Sequence, residues 1–174
     1  MIIDLESKEP IFLAAIQGDI VLLEKLKLSF VTDKLNAEGT NSSSFNKDEF
    51  QKLINSQDTN LASPLHYAAV SGQIQAIQWL IAAGAVISKD KLGANALFWA
   101  ARAGSLKTVK FLLHSPDFTP TDKMLREETL LHISVLSGNL YLVKWLITNK
   151  YSQANESDTM GMTAYTLCSR GTKF

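Results

Sequence analysis

At 174 residues and 46% apolar composition the chain is long enough to bury a continuous core, and its formal charge of zero excludes the basic excess of a dedicated nucleic-acid binder. A single cysteine, Cys168, excludes an intrachain disulfide and favours a reducing compartment. The opening residues Met1 to Glu9 lack the basic start and long apolar run of a signal peptide.

In chain order, the first unit is Glu9-Pro10-Ile11-Phe12-Leu13-Ala14-Ala15-Ile16-Gln17-Gly18, followed by an apolar stretch. Pro10 suits a first helical turn, where its missing N–H would have no partner anyway. The next unit is Ser63-Pro64-Leu65-His66-Tyr67-Ala68-Ala69-Val70-Ser71-Gly72, with Ser63 as a candidate helix cap. Between them lie 54 residues from Gly18 to Gly72, so an insertion is expected at about 31–57. Its front, Ala37 to Ser44, has the composition of a mobile loop. Its rear differs: Asn46 and Glu49 form a candidate capping box, Phe45 and Phe50 a candidate staple, and Phe50, Leu53 and Ile54 share one face. That spacing predicts a helix over 47–54 packed back on the body of the molecule.

The motif returns as Asn95 to Gly104 and as Thr129 to Gly138, and glycines 72, 104 and 138 are spaced by 32 and 34 residues. Each copy closes with a helical apolar pattern: Ile74, Ile77, Trp79 and Leu80; then Leu106, Val109, Phe111 and Leu112; then Leu140, Val143, Trp145 and Leu146. A period of this size signals a solenoid whose units bury their apolar faces against their neighbours. A fifth copy starts at Asp158-Thr159-Met160-Gly161-Met162-Thr163-Ala164. It reaches Phe174 without a second helix, which leaves Trp145 and Leu146 only partly covered. Cys168 falls where that copy has its first alanine and reads as a buried small residue. Residues 65–87 are apolar enough to suggest a membrane span, but His66, three glutamines and the turn glycines argue for a water-soluble array.

These residues, Ser63 to Gly72 most fully, resemble the ankyrin repeat. The resemblance implies one all-α helix-turn-helix solenoid with short hairpin loops, spanning 1–174. Its repeats fall at about 4–30, 58–89, 90–123 and 124–157, with a partial fifth at 158–174. It also implies that His66 and His132 order the turns by bonding to backbone, and neither has a Cys or carboxylate at ligand spacing. No phosphate loop, metal-ligand spacing or nucleophile in a recognisable setting is present, so no catalytic residue, metal or cofactor is expected.

Such arrays engage partner proteins on the concave face made by hairpin tips and first helices. Carried over by alignment, the candidates are Asn60, Lys91, Leu92, Trp99, Arg102, Arg126, Glu128, Leu136 and Arg170. Trp99 also reads as core. Of the 17 basic residues only Arg102, Arg126 and Arg170 are arginine, and all three fall on this face. Because the guanidinium makes bidentate contacts to carboxylates, they suggest an acidic partner segment; the rival reading pairs them with Glu127, Glu128 or hairpin carbonyls. The expected role is a cytoplasmic protein-interaction module or adaptor, binding neither nucleic acid nor membrane, and monomeric unless the half-repeat self-associates. The alternative is the regulatory or substrate-recruiting front of a larger enzyme. An excess of Lys, Asn, Ser and Ile over Arg suits an AT-rich genome, so a bacterial effector in a host cell, acting in host cytosol or nucleus, is carried as a further alternative.

Overall fold

The computed structural model describes residues 10–35 and 41–169. Two layers of short antiparallel helices run through it. The inner layer is α1 (Pro10–Gln17), α4 (Pro64–Val70), α6 (Ala96–Arg102), α8 (Leu130–Leu136) and α10 (Ala164–Ser169), each packed on the next. The outer layer is α2 (Ile20–Leu28), α5 (Ile74–Ala82), α7 (Leu106–Leu113) and α9 (Leu140–Thr148). The insertion contributes β1 (Val31–Leu35), β2 (Asn41–Phe45) and α3 (Lys47–Ile54).

Small residues set the spacing of the inner layer. Ala14, Ala15, Ala68, Ala69, Ala100 and Ala101 are fully buried, so neighbouring helices approach closely. Between the layers lie Leu23, Ile77, Leu80, Leu97, Leu112, Leu130 and Leu146, each completely buried and each stabilising by about 1.5 to 3 kcal/mol. The sharp turn from inner to outer helix needs a left-handed residue, which Gly104 supplies at φ 71° with Asn139 packed on its open side. Outer helices then start from side-chain caps: Asp19 accepts from Leu22 N at 2.9 Å, and Asn139 from Leu142 N at 3.0 Å.

The insertion departs from the expected loop at residues 41–44; residues 37–40 of that loop, and the Phe45 side chain of the expected staple, lie outside the described residues. Residues 41–45 form a strand paired antiparallel with 31–35, Val31 opposite Phe45. The pairing continues into the helices, because Asn46 N–H donates to Phe30 O at 2.9 Å. That bond also uses the N–H a capping box would have filled from Glu49; Asn46 itself does cap α3, accepting from Glu49 N at 3.3 Å. Helix α3 lies against the outer layer: Phe50 and Ile54 are buried, and Phe50 meets Phe30 at 5.8 Å and Trp79 edge-on at 6.2 Å. Gln51 donates to Ala83 O, and Val86 N–H donates to Asn55.

At the other end the cover on α9 is partial, as expected for Trp145 but not for Leu146: Leu146 is fully buried, whereas Trp145 is half-buried, stacked on Tyr151 at 4.9 Å with Lys110 over its ring, and Leu140, Tyr141 and Ile147 are exposed. Cys168 is exposed rather than buried, because among the described residues no further helix packs on the far side of α10. No helix of the described residues is long and apolar enough to cross a membrane.

Candidate functional site

Hairpins project between successive repeats and are stitched in series: Lys91 N–H donates to Asn60 O at 2.9 Å, Leu125 to Leu92 at 3.0 Å and Thr159 to Arg126 at 2.9 Å. Inside three of these hairpins an aspartate closes the loop. Asp58 Oδ1 accepts from Asn60 and Ala62 N–H at 2.8 and 2.9 Å, Asp90 from Leu92 and Ala94 at 2.8 and 2.9 Å, and Asp158 from Met160 and Met162 at 2.8 Å each. In two of them the other carboxylate oxygen takes a bond from the inner helix, Tyr67 to Asp58 at 2.7 Å and Trp99 Nε1 to Asp90 at 2.9 Å. Burial and the Asp58 carboxylate push the Tyr67 phenol well above its ordinary pKa.

The histidines link one repeat to the next. Ser63 N–H donates to His66 Nδ1 at 3.1 Å, which fixes the proton on Nε2, and Nε2 donates to Ala94 O at 3.0 Å. Burial lowers the His66 pKa, opposed by the Ala94 carbonyl and by Asp90 and Asp58. His132 repeats the arrangement, from Thr129 N–H to Met162 O. Both rings are therefore structural joints with no open valence for chemistry. Among the described residues no cluster of His, Cys, Asp or Glu has the geometry to hold a metal ion.

A cavity of about 830 Å³ opens on the hairpin side between the third and fourth repeats. Leu92, Trp99, Arg102, Arg126, Glu128 and Leu136 line it. Trp99 is half-buried, held edge-on to His66 and Tyr67 at 5.3 and 5.4 Å, so it serves the core and the cavity wall together. Leu92 and Leu136 are 56% and 51% exposed, and Leu125 on the same rim is 72% exposed, an apolar edge rather than scattered single residues. Arg102 and Arg126 are exposed, and among the described residues neither forms an ion pair; Glu127 is held by Lys123 instead, at 3.3 Å. Asn60 and Lys91 are exposed on the neighbouring hairpins outside the cavity, and Arg170 lies outside the described residues.

Residues that the motif alignment passed over form much of the cavity floor: Phe98, Met124 and Ile133. The signal was present as an aspartate five residues before the helix cap in three repeats, Asp58, Asp90 and Asp158, with Met124 standing in that place in the fourth.

A family model of ankyrin repeats, in three copies, matches residues 11–123. The chain belongs to the ankyrin repeat family. Ankyrin repeats are generally protein-interaction modules, and their fold is typically non-catalytic. An ankyrin repeat protein of Fowlpox virus is 31% identical over 100 residues, 57% of this chain and 68% of its own length. The palmitoyltransferases AKR1 of Lachancea kluyveri and Kluyveromyces lactis are each 32% identical, over 93 and 90 residues. These matches take in 52% and 49% of this chain but only 12% and 11% of the two enzymes, so the ankyrin repeat region here corresponds to a small part of either.

Proposed function

We propose that this ankyrin repeat chain is a non-catalytic interaction module or adaptor that holds a partner protein on its concave face, with Arg102 and Arg126 reading acidic groups on the partner. The observation carrying this is two exposed guanidinium groups without a carboxylate partner among the described residues, set on the rim of an apolar cavity. Arginine at such a place offers a bidentate fork to carboxylates and is enriched where binding energy concentrates. Hairpin residues Asn60 and Lys91 would extend the contact toward the second repeat, and Arg170 toward the fifth. The module works in the cytoplasm and as a monomer, with neither nucleic acid nor membrane as its target. Its α10 end, where Tyr165 is 76% exposed, is the place at which copies would associate.

The test is to capture a partner by cross-linking and compare its affinity for the wild type, for Arg102→Glu with Arg126→Glu, and for Lys107→Glu with Lys144→Glu on the outer helices. Affinity is expected to fall only for the arginine pair. A partner that ignores the arginines and responds to the outer lysines overturns the reading.

A second reading takes support from the match to palmitoyltransferases many times longer than the matched region. In it, the chain is the recruiting portion of a larger enzyme, including the case of a bacterial effector acting in host cytosol or nucleus. The length of the reading frame downstream of Phe174, together with fractionation of the native protein, decides between the two.

A further inference from the structure

The junction between the third and fourth repeats is built differently from the others. Three polar positions that join repeats elsewhere are apolar here, and all three face one cavity: Phe98 at the histidine position, Met124 at the hairpin aspartate position and Ile133 at the Tyr67 and Trp99 position. The change at Met124 has an electrostatic counterpart. In the other hairpins a carboxylate oxygen receives two backbone N–H groups at 2.8 to 2.9 Å. In this one the equivalent N–H groups, of Arg126 and Glu128, donate to no acceptor among the described residues. Arg126 belongs to the same hairpin, and Arg102 stands across the cavity on α6. The junction therefore lacks a negative group that its own backbone is shaped around, carries two positive ones, and has an apolar floor.

We propose that this cavity reads a short extended segment of a partner protein in which an apolar side chain is neighboured by an aspartate or glutamate. The apolar side chain sits over Met124, Ile133 and Leu136. The carboxylate lies between Arg102 and Arg126, supplying the acceptor that Met124 withholds. This rests on the concave-face reading above and specifies the chemistry of what that face takes. The volume agrees, since about 830 Å³ falls within the range of pockets that enclose a small ligand and holds one large side chain with its flanking backbone. Charge agrees too: Asp90 at the cavity edge is occupied by Trp99 Nε1 and the Leu92 and Ala94 amides, leaving Glu128 to set against two arginines.

The experiment selects a displayed random dodecapeptide library on the whole 174-residue chain, then measures the selected peptides by fluorescence anisotropy at low and high salt. The expected result is peptides that place Leu, Ile, Met or Phe within two residues of Asp or Glu, with affinity weakening as salt rises. Arg102→Glu with Arg126→Glu is expected to weaken binding tenfold or more. Met124→Asp is expected to do so as well, because the loop aspartate found in the other hairpins would occupy the two amides that the partner's carboxylate is to meet. Lys107→Glu with Lys144→Glu leaves affinity unchanged. Selected peptides without an acidic residue, indifference to both Met124→Asp and the arginine pair, or an empty selection overturns the inference. If binding then responds to Asn60 and Lys91 variants, the concave-face reading survives its loss; if it follows only the outer lysines, both fall. Concentration-dependent association of the chain, abolished by Arg102→Glu, would also overturn it by naming a second copy as the occupant.

Discussion

Two adjacent joints of this array solve one mechanical problem in opposite ways. Between the second and third repeats, His66 bridges to Ala94 O, Asp90 closes the hairpin, and Trp99 bonds back to Asp90. Between the third and fourth, Phe98, Met124 and Ile133 stand at the corresponding places, and the polar links are Asn95 Nδ2 to Asp122 at 3.1 Å, Leu125 N–H to Leu92 O at 3.0 Å and Asn139 Nδ2 to Gly104 O. A buried hydrogen-bonded joint fixes geometry but fills its own space; an apolar joint leaves a cavity with unspent donors. Cohesion is concentrated at the first, and the second is where the proposed recognition would act.

The largest effect is expected from removing apolar volume at the second joint. Phe98 is 2% exposed, and Phe98→Ala should cost about 3 to 5 kcal/mol by chemical denaturation. A loss below that range would mean the cavity already leaves the ring poorly packed. Next comes the polar joint: His66→Ala leaves Ser63 N–H and Ala94 O without their partner and should cost on the order of 1 to 3 kcal/mol, with the circular dichroism of the array retained. Stability equal to wild type would mean the bridge is idle.

The same ring sets a pH dependence. Burial depresses the His66 pKa, so below the ordinary histidine value of about 6.5 the unfolded chain takes up a proton that the folded chain refuses. Its contribution is therefore complete above that pH and lost as pH falls toward the folded value, at up to about 1.4 kcal/mol per pH unit. His66→Phe, the side chain that the other joint carries at Phe98, should flatten this slope between pH 6.5 and 5. Parallel loss in both proteins would place the titration elsewhere.

The smallest effects belong to the cavity rim. Met124→Asp should change stability little, because bonds to two amides, about 0.5 to 1.5 kcal/mol each, offset the roughly 1.5 to 3 kcal/mol lost with the buried Met124 side chain. Reversal of Arg102 and Arg126 should move the melting temperature hardly at all, since exposed charges of this kind contribute about 0 to 1 kcal/mol. Lys107 and Lys144 are better outer-helix controls than Lys110, which covers the Trp145 ring at 5.2 Å.

The repeats were legible because Gly72, Gly104 and Gly138 each mark a backbone position that few other residues accept. The strand pairing of residues 41–45 was not, since Asn-Ser-Ser-Ser carries little β preference and is paired through the chain ends that Phe30 and Phe50 bring together. Cys168 was misjudged because a repeat position is buried only when a neighbour follows it. Around the cavity, Leu92, Arg102, Arg126 and Leu136 could be placed by alignment. Met124 could not, because aligning on the inner-helix motif hides the hairpin, whose register is set by the left-handed residues Leu61, Gly93, Glu127 and Gly161. Those positions share a φ but not a residue type.

The hairpin-to-hairpin bonds, from Lys91 to Asn60, Leu125 to Leu92 and Thr159 to Arg126, run through backbone atoms alone. Side chains at the tips can therefore be exchanged without cutting the thread that holds the tips in line. For evolution, a new target can be acquired by substitutions at one joint while its neighbours keep their form. For an engineer, the fourth hairpin can be rewritten as a recognition cassette, and the aspartates of the flanking hairpins mark where such rewriting should stop.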